Sequence, residues 1–286
     1  MKNVHFTLKD GRYTGAVDDG PSFFIGSRVT FQGRKGLMNV VGKPGQRYDR
    51  AEYRPEFGFW ADFITPTANA EGALFHTLNT YDRARFTFSF LQYAAHVPDG
   101  DFVRYLHELL KLPLAAEYFP DLVLVNGRVH RDKNGVKTRL EDSSSTEGLM
   151  NYLNPGSSAV EDTEVVSSAK FIHWVQNDSD HRHLQVRLGV EHFREKMKAY
   201  SRRYKLDGKS EVICLLVADI RHQGRGDSAI STALSSANPE ANLLKIGAGE
   251  YPARIASLKT SIANLRKDNS FGKFIYNQSL GDFDKV

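Results

Sequence analysis

Apolar residues between 182 and 205 recur in steps of four and three: Val186, Val190, Phe193, Met197, Tyr200 and Tyr204. That period lines them up on one stripe of a helix and leaves the Lys and Arg between them on its other faces. The same spacing predicts helices over 159–176, 210–221 and 250–266, and over 101–112, where Phe102, Tyr105, Leu106 and Leu109 share a face. From Arg54 onward Phe57, Trp60, Phe63 and Ile64 also fall at helical intervals. Pro66 predicts a kink or restart, and Gly72 a stop after the turns 67–71.

Alternation marks the strands. Phe86, Phe88 and Phe90 alternate with Thr87, Ser89 and Leu91, which predicts a strand over 85–93 with one aromatic face. The segment 122–140 reads as a hairpin, with Asn126-Gly127 and Asn134-Gly135 as its turns. Residues 1–50 hold short alternating runs separated by turn pairs such as Asp19-Gly20 and Pro44-Gly45. Together these elements predict an α+β fold, predominantly α, with a β-rich segment at 1–50 ahead of one larger domain at 51–286.

Composition sharpens this picture only in places. At 286 residues and 41% hydrophobic, the chain can bury a full core. Its one cysteine, Cys214, lies in an apolar run, so no intramolecular disulfide forms and a buried thiol is expected. The N-terminus lacks the apolar stretch of a signal peptide, and no run approaches the roughly 18 apolar residues of a membrane span. Synthesis in the cytoplasm is therefore expected, with other machinery required for any export. The net charge is +4, yet 182–205 alone holds eight Lys or Arg against Glu191 and Glu195, a local +6. Such a face attracts polyanions, whether nucleic acid, anionic lipid or an acidic cell wall. A solvated face on a packed helix is the plainer reading of it.

The chemistry concentrates at 71–92. Glu71 closes the helix-like stretch, Gly72 opens a turn, Asp82 follows between Tyr81 and Arg83, and the aromatic strand ends at Gln92 and Tyr93. Cleaving a glycosidic bond takes an acid for the leaving oxygen and, in an inverting hydrolase, a base for the attacking water. Glu71, near aromatics, is expected to keep its proton, whereas Asp82, beside Arg83 and Arg85, is expected to stay ionised. Tyr81, Tyr93 and Tyr152 offer rings for sugar stacking, although core packing is the commoner fate of such side chains.

Other chemistries find less support. The histidines at 173, 181, 183 and 192 lack a His-Glu-x-x-His motif or a cysteine pair, so no metal is expected. No phosphate loop or Gly-x-Ser-x-Gly elbow occurs, and no cofactor is expected. Asp219 and His222, three apart before Gly224, read as a helix end with an ion pair.

The order helix, Glu71-Gly72, turn, Tyr81-Asp82, Thr87 and Phe90-Leu91-Gln92 resembles the lysozyme-like superfamily of phage lysozymes, chitosanases and lytic transglycosylases. That resemblance implies a two-lobed helical domain with a small β-hairpin, with the substrate across the cleft between the lobes. It makes Glu71 the general acid, Asp82 the base or electrostatic partner, and Thr87 a hydroxyl that orients water. Tyr81, Gln92, Tyr93, Tyr152 and Asn154 become substrate-binding candidates. The implied activity is hydrolysis of the β-1,4 bonds of peptidoglycan, with chitosan or chitin cleavage or lytic transglycosylation as alternatives. The bacterial wall would then be the site of action of a phage lysin or a delivered antibacterial effector. An immunity protein or delivery machinery would be its partner, and nucleic acid an unlikely one. The rival is a non-enzymatic basic module for wall polymer or nucleic acid.

Overall fold

The computed structural model describes residues 1–40 and 45–286, so Pro44 of the expected Pro44-Gly45 turn lies outside the described residues. The architecture mixes helix and strand, 44% against 20%, which bears out a mixed α and β class with more helix than strand. Contacts divide the chain into two units, Met1–Tyr48 with Gly72–Gln185, and Asp49–Glu71 with Val186–Val286.

The first unit is built on a seven-stranded antiparallel meander. Its strands are β1 (Val4–Lys9), β2 (Arg12–Val17), β3 (Phe23–Phe31), β4 (Arg34–Met38), β5 (Leu78–Asn79), β6 (Thr87–Phe88) and β7 (Tyr93–Ala94). The strands of the first 50 residues thus continue into the sheet that carries 78–94. They are not a separate segment: Met38 on β4 pairs with Asn79 on β5. The same unit contains α3 (Asp101–Leu109), α4 (Ala115–Tyr118), β8 (Leu122–Val125), β9 (Arg128–Lys133), β10 (Val136–Arg139), α5 (Glu147–Leu153) and α6 (Asp162–Asn177).

Two hairpin turns make β8–β10 a three-stranded sheet, not a single hairpin. Asn126-Gly127 and Asn134-Gly135 each hold both φ angles positive, the condition for turns that match strand twist. The expected 85–93 strand is shorter than its alternation suggests. Strands β6 and β7 have two residues each, and Phe86, Phe88 and Phe90 are buried together with Thr87, Ser89 and Leu91. Phe86 and Phe88 pack on Phe171, with ring centroids 5.3 and 5.2 Å away, while Phe90 stacks on Tyr48 at 5.1 Å.

The second unit holds α1 (Arg50–Phe57), α2 (Phe59–Ala70), most of α7 (Ser179–Tyr204), α8 (Glu211–His222), α9 (Asp227–Leu234), α10 (Pro239–Leu243), α11 (Pro252–Lys267), β11 (Phe274–Asn277) and β12 (Asp282–Lys285). The helix expected from Arg54 breaks at Gly58, not at Pro66. Gly58 has φ +56° and ψ −135°, a conformation open to glycine, and its N–H closes α1 on the Arg54 carbonyl at 2.9 Å. Pro66 stays inside α2, which runs on to Ala70.

Phe59, Trp60 and Phe63 of α2 meet the β11–β12 hairpin. Phe59 stacks on Phe274 at 4.1 Å, Phe63 lies 5.0 Å from Phe283, and the Trp60 indole N–H donates to Asp282. On α7, Val186, Val190, Phe193, Met197 and Tyr204 are buried as its period requires, and Tyr200 is half-buried. Cys214 is buried in α8, and burial pushes its thiol well up. No helix among the described residues is long and apolar enough to cross a membrane.

Candidate functional site

Glu71 caps the C-terminus of α2, where its N–H returns to the Thr67 and Ala68 carbonyls and Gly72 follows at φ +94°. Its side chain is only 13% exposed. The expected aromatic surroundings are replaced by a charged one: the Glu71 carboxylate pairs with the Arg254 guanidinium of α11. The same guanidinium donates to Asp219 of α8, from Nη2 at 2.6 Å and from Nε at 3.2 Å. Thr67 completes the group, its hydroxyl donating to Asp219 Oδ1 at 2.9 Å. Asp219 and Arg254 are buried. Burial opposes the charge on Arg254, but the bond and charge of Asp219, with those of Glu71, outweigh it and raise its pKa further.

Two imidazoles flank this cluster. His222, the last residue of α8, lies 5.9 Å from the His192 ring of α7 and 5.7 Å from Phe193. Burial pulls His222 below the usual imidazole range, and the nearby charge of Glu71 opposes that shift. The Asp219–His222 ion pair expected at this helix end gives way to the pairing of Asp219 with Arg254.

Asp82 belongs to the other unit, in the turn between β5 and β6. Its Oδ1 accepts the Ala84 N–H at 2.8 Å, and its carbonyl the Arg85 N–H at 3.2 Å. Arg85, expected to keep Asp82 charged, instead pairs with Glu147 and donates to Asn151 at 2.7 Å. Buried Asn154 pins this turn, donating to the carbonyls of Thr80 at 3.1 Å and Arg85 at 2.9 Å. Its amide is thereby committed to the backbone. The Thr80 hydroxyl donates to the buried carboxyl of Glu164 on α6 and accepts the Leu37 N–H at 2.6 Å. Burial raises Glu164 to about 7, against the lowering effect of these hydrogen bonds.

Thr87 is buried on β6, opposite Asn79 and Ala94. Tyr93 is buried on β7, and its hydroxyl donates to the Gln185 carbonyl at 3.3 Å, so it packs as core. Tyr81 is half-buried with its ring 6.0 Å from Phe31, and Gln92 is half-buried at φ +56°. Tyr152 donates to Asp121 at 2.7 Å and lines a groove. The structure therefore brings Tyr81, Asp82, Thr87, Gln92, Tyr93 and Asn154 to one set of short hairpins. Glu71 stands in the second unit, with partners that local spacing does not reveal.

Backbone strain gathers in the same stretch. Six non-glycine residues other than Asn and Asp are left-handed among the described residues, and four lie within 73–92: Ala73, Arg85, Ser89 and Gln92. Each costs on the order of 1 kcal/mol and persists where the surroundings over-determine it, commonly at functional sites. Among the described residues no three His, Cys, Asp or Glu side chains gather as a metal set. His181 instead bonds Tyr105, and His173 bonds the Tyr118 hydroxyl at 2.7 Å. No family model, curated protein or solved structure matches the chain.

Proposed function

We propose that the chain is a glycan-cleaving enzyme acting on the β-1,4 bonds of peptidoglycan, with Glu71 as its general acid. One observation carries the reading: the carboxyl that ends α2 is half-buried, 13% exposed, and fixed by Arg254, whose cation favours its ionised form, so the acid role requires that pair to open when substrate binds. Buried ion pairs are poor devices for stability, because desolvation offsets most of their attraction. A protein that keeps one in a half-buried position, followed at once by a strained segment, fits a site organised for chemistry. Asp82, whose carboxyl accepts the Ala84 N–H in its turn, is the candidate base, and Thr87 the candidate for orienting water.

In this reading Arg254 and Thr67–Asp219 are positioning groups that fix the Glu71 carboxyl, and His222 is an imidazole electrostatically coupled to it. The wall of a bacterium would be the place of action, reached from the cytoplasm by a lysis or delivery route, with an immunity protein as the natural counterpart. Chitosan or chitin cleavage, and lytic transglycosylation, remain the variants of the same chemistry.

Glu71→Gln tests it. The variant keeps a polar group for Arg254 and leaves the Arg254–Asp219 pair intact, so the fold is expected to stand. Release of soluble sugar fragments from purified peptidoglycan should fall at least about a hundredfold, the scale of a lost general acid. Equal release by wild type and variant would overturn the enzyme. Mass spectrometry of the fragments then separates hydrolysis, with reducing ends, from transglycosylation, with anhydro ends. A second reading, a basic binding module, draws on Lys196, Lys198 and Arg202 of α7 and on Lys205 just past its end, which are exposed without ion-pair partners among the described residues. It predicts wall sedimentation with no fragment release from either protein.

A further inference from the structure

The first unit contains a groove of about 650 Å3, within the size range of small-ligand sites, that Glu71, Asp82 and Thr87 do not line. Its apolar floor includes Phe119, which is buried. The ammonium of Lys170, half-buried on α6, lies 5.4 Å from the centre of that ring. Among the described residues it makes no hydrogen bond or ion pair. Burial pulls Lys170 below the usual amine range, with the charge of Asp121 opposing.

The facing wall is fixed. Tyr152 donates to Asp121 Oδ1 at 2.7 Å, and Asp121 Oδ2 accepts from Arg131 Nε at 2.9 Å. The Arg131 guanidinium sits 5.3 Å from the Tyr152 ring centre. Both oxygens of Asp121 are thus committed and its charge is met by Arg131. The charge of Asp121 reaches Lys170, but no carboxylate makes an ion pair or hydrogen bond with its ammonium among the described residues. Thr163 and Ser167 add hydroxyls to the lining, and Asp162 is solvent-exposed.

We propose that this groove binds a carboxylated sugar, with the carboxylate on Lys170, the ring against Tyr152 and sugar hydroxyls on Thr163 and Ser167. A half-desolvated ammonium gains most from an anion it can hydrogen-bond, and a rigid aromatic wall suits a flat ligand body. The choice of sugar rests on the glycan-cleaving reading. Within that reading the groove is a subsite for the acid-bearing residue of the polymer.

N-acetylmuramic acid and N-acetylglucosamine, which differ by one lactyl ether with its carboxylate, are the probes, titrated into the full chain by calorimetry or NMR. The acid sugar is expected to bind at least about tenfold more tightly, as for one charge-assisted hydrogen bond. Lys170→Gln should reduce it to the level of the neutral sugar, and Lys170→Arg should keep the preference. Equal binding of the two sugars, no binding of either, or undiminished binding by Lys170→Gln overturns the proposal. The wild-type comparison needs no variant, so a misfolded substitution does not protect it. Repeating the titration in Glu71→Gln separates the two ideas. A retained preference without fragment release from wild type removes the enzyme and leaves the groove, and release without preference does the reverse.

Discussion

At the scale of single residues, Arg254 has the largest structural consequence. It faces two carboxylates, and one of them, Asp219, is buried. Arg254→Met would leave Asp219 without its cation, a change that typically costs roughly 3–5 kcal/mol. Chemical denaturation should show that loss, whereas Glu71→Gln, which strips charge from the more exposed partner, should cost less. Glu164 gives a second test through pH. Its folded-state value of about 7 lies above the 4.5 of the free side chain, so the native state binds the proton more tightly. The resulting stability is present in full below about pH 4.5 and is lost as pH rises to about 7, on the order of 3 kcal/mol in all. Glu164→Gln should flatten that part of the stability–pH curve and make the protein more stable than wild type above pH 7. Glu71 and Asp82 stand out in the sequence because turn signals flank them. Arg254 does not, since it meets Glu71 across 183 residues and nothing local marks the pair.

At the scale of elements, legibility follows how local the cause is. The apolar period of α7, the helices α6, α8 and α11, and the two Asn-Gly turns all express short-range rules, and the sequence reading places them within a few residues. The 85–93 segment does not, because its alternation presumes one solvated face while both faces are buried, and left-handed Ser89 and Gln92 fold it into a tight turn. The break at Gly58 was hidden behind the more conspicuous Pro66. Gly58→Ala is the test: no atom would crowd the new methyl, so the effect is conformational, and a melting experiment should show a loss of roughly 1–2 kcal/mol. Gly36 is the opposite case. A Cβ there would lie 2.7 Å from the Thr80 carbonyl carbon and the Tyr81 nitrogen, so Gly36→Ala should displace the strand that leads into the Asp82 turn. Lower stability, with reduced fragment release, is the expected readout.

At the scale of the whole molecule, charge is distributed unevenly. Several cations of α7 are engaged: Arg187 with Glu191, Arg203 with Asp227, and Arg194 over the Trp60 ring. Lys196, Lys198 and Arg202 of α7, with Lys205 just past its end, are exposed, and the basic-module reading rests on them. Replacing all four with Gln should weaken sedimentation with isolated walls most at low salt, and the difference should fade as salt shortens the Debye length.

The division of the chain also bears on its synthesis. Helices α1 and α2 leave the ribosome early, but the β11–β12 hairpin that packs on Trp60 and Phe63 follows much later, its Asp282 lying 222 residues after Trp60. Until β12 is made, the contacts of Phe283 with that aromatic surface are missing on the nascent chain, and a premature stop before the hairpin would release a polypeptide prone to aggregate.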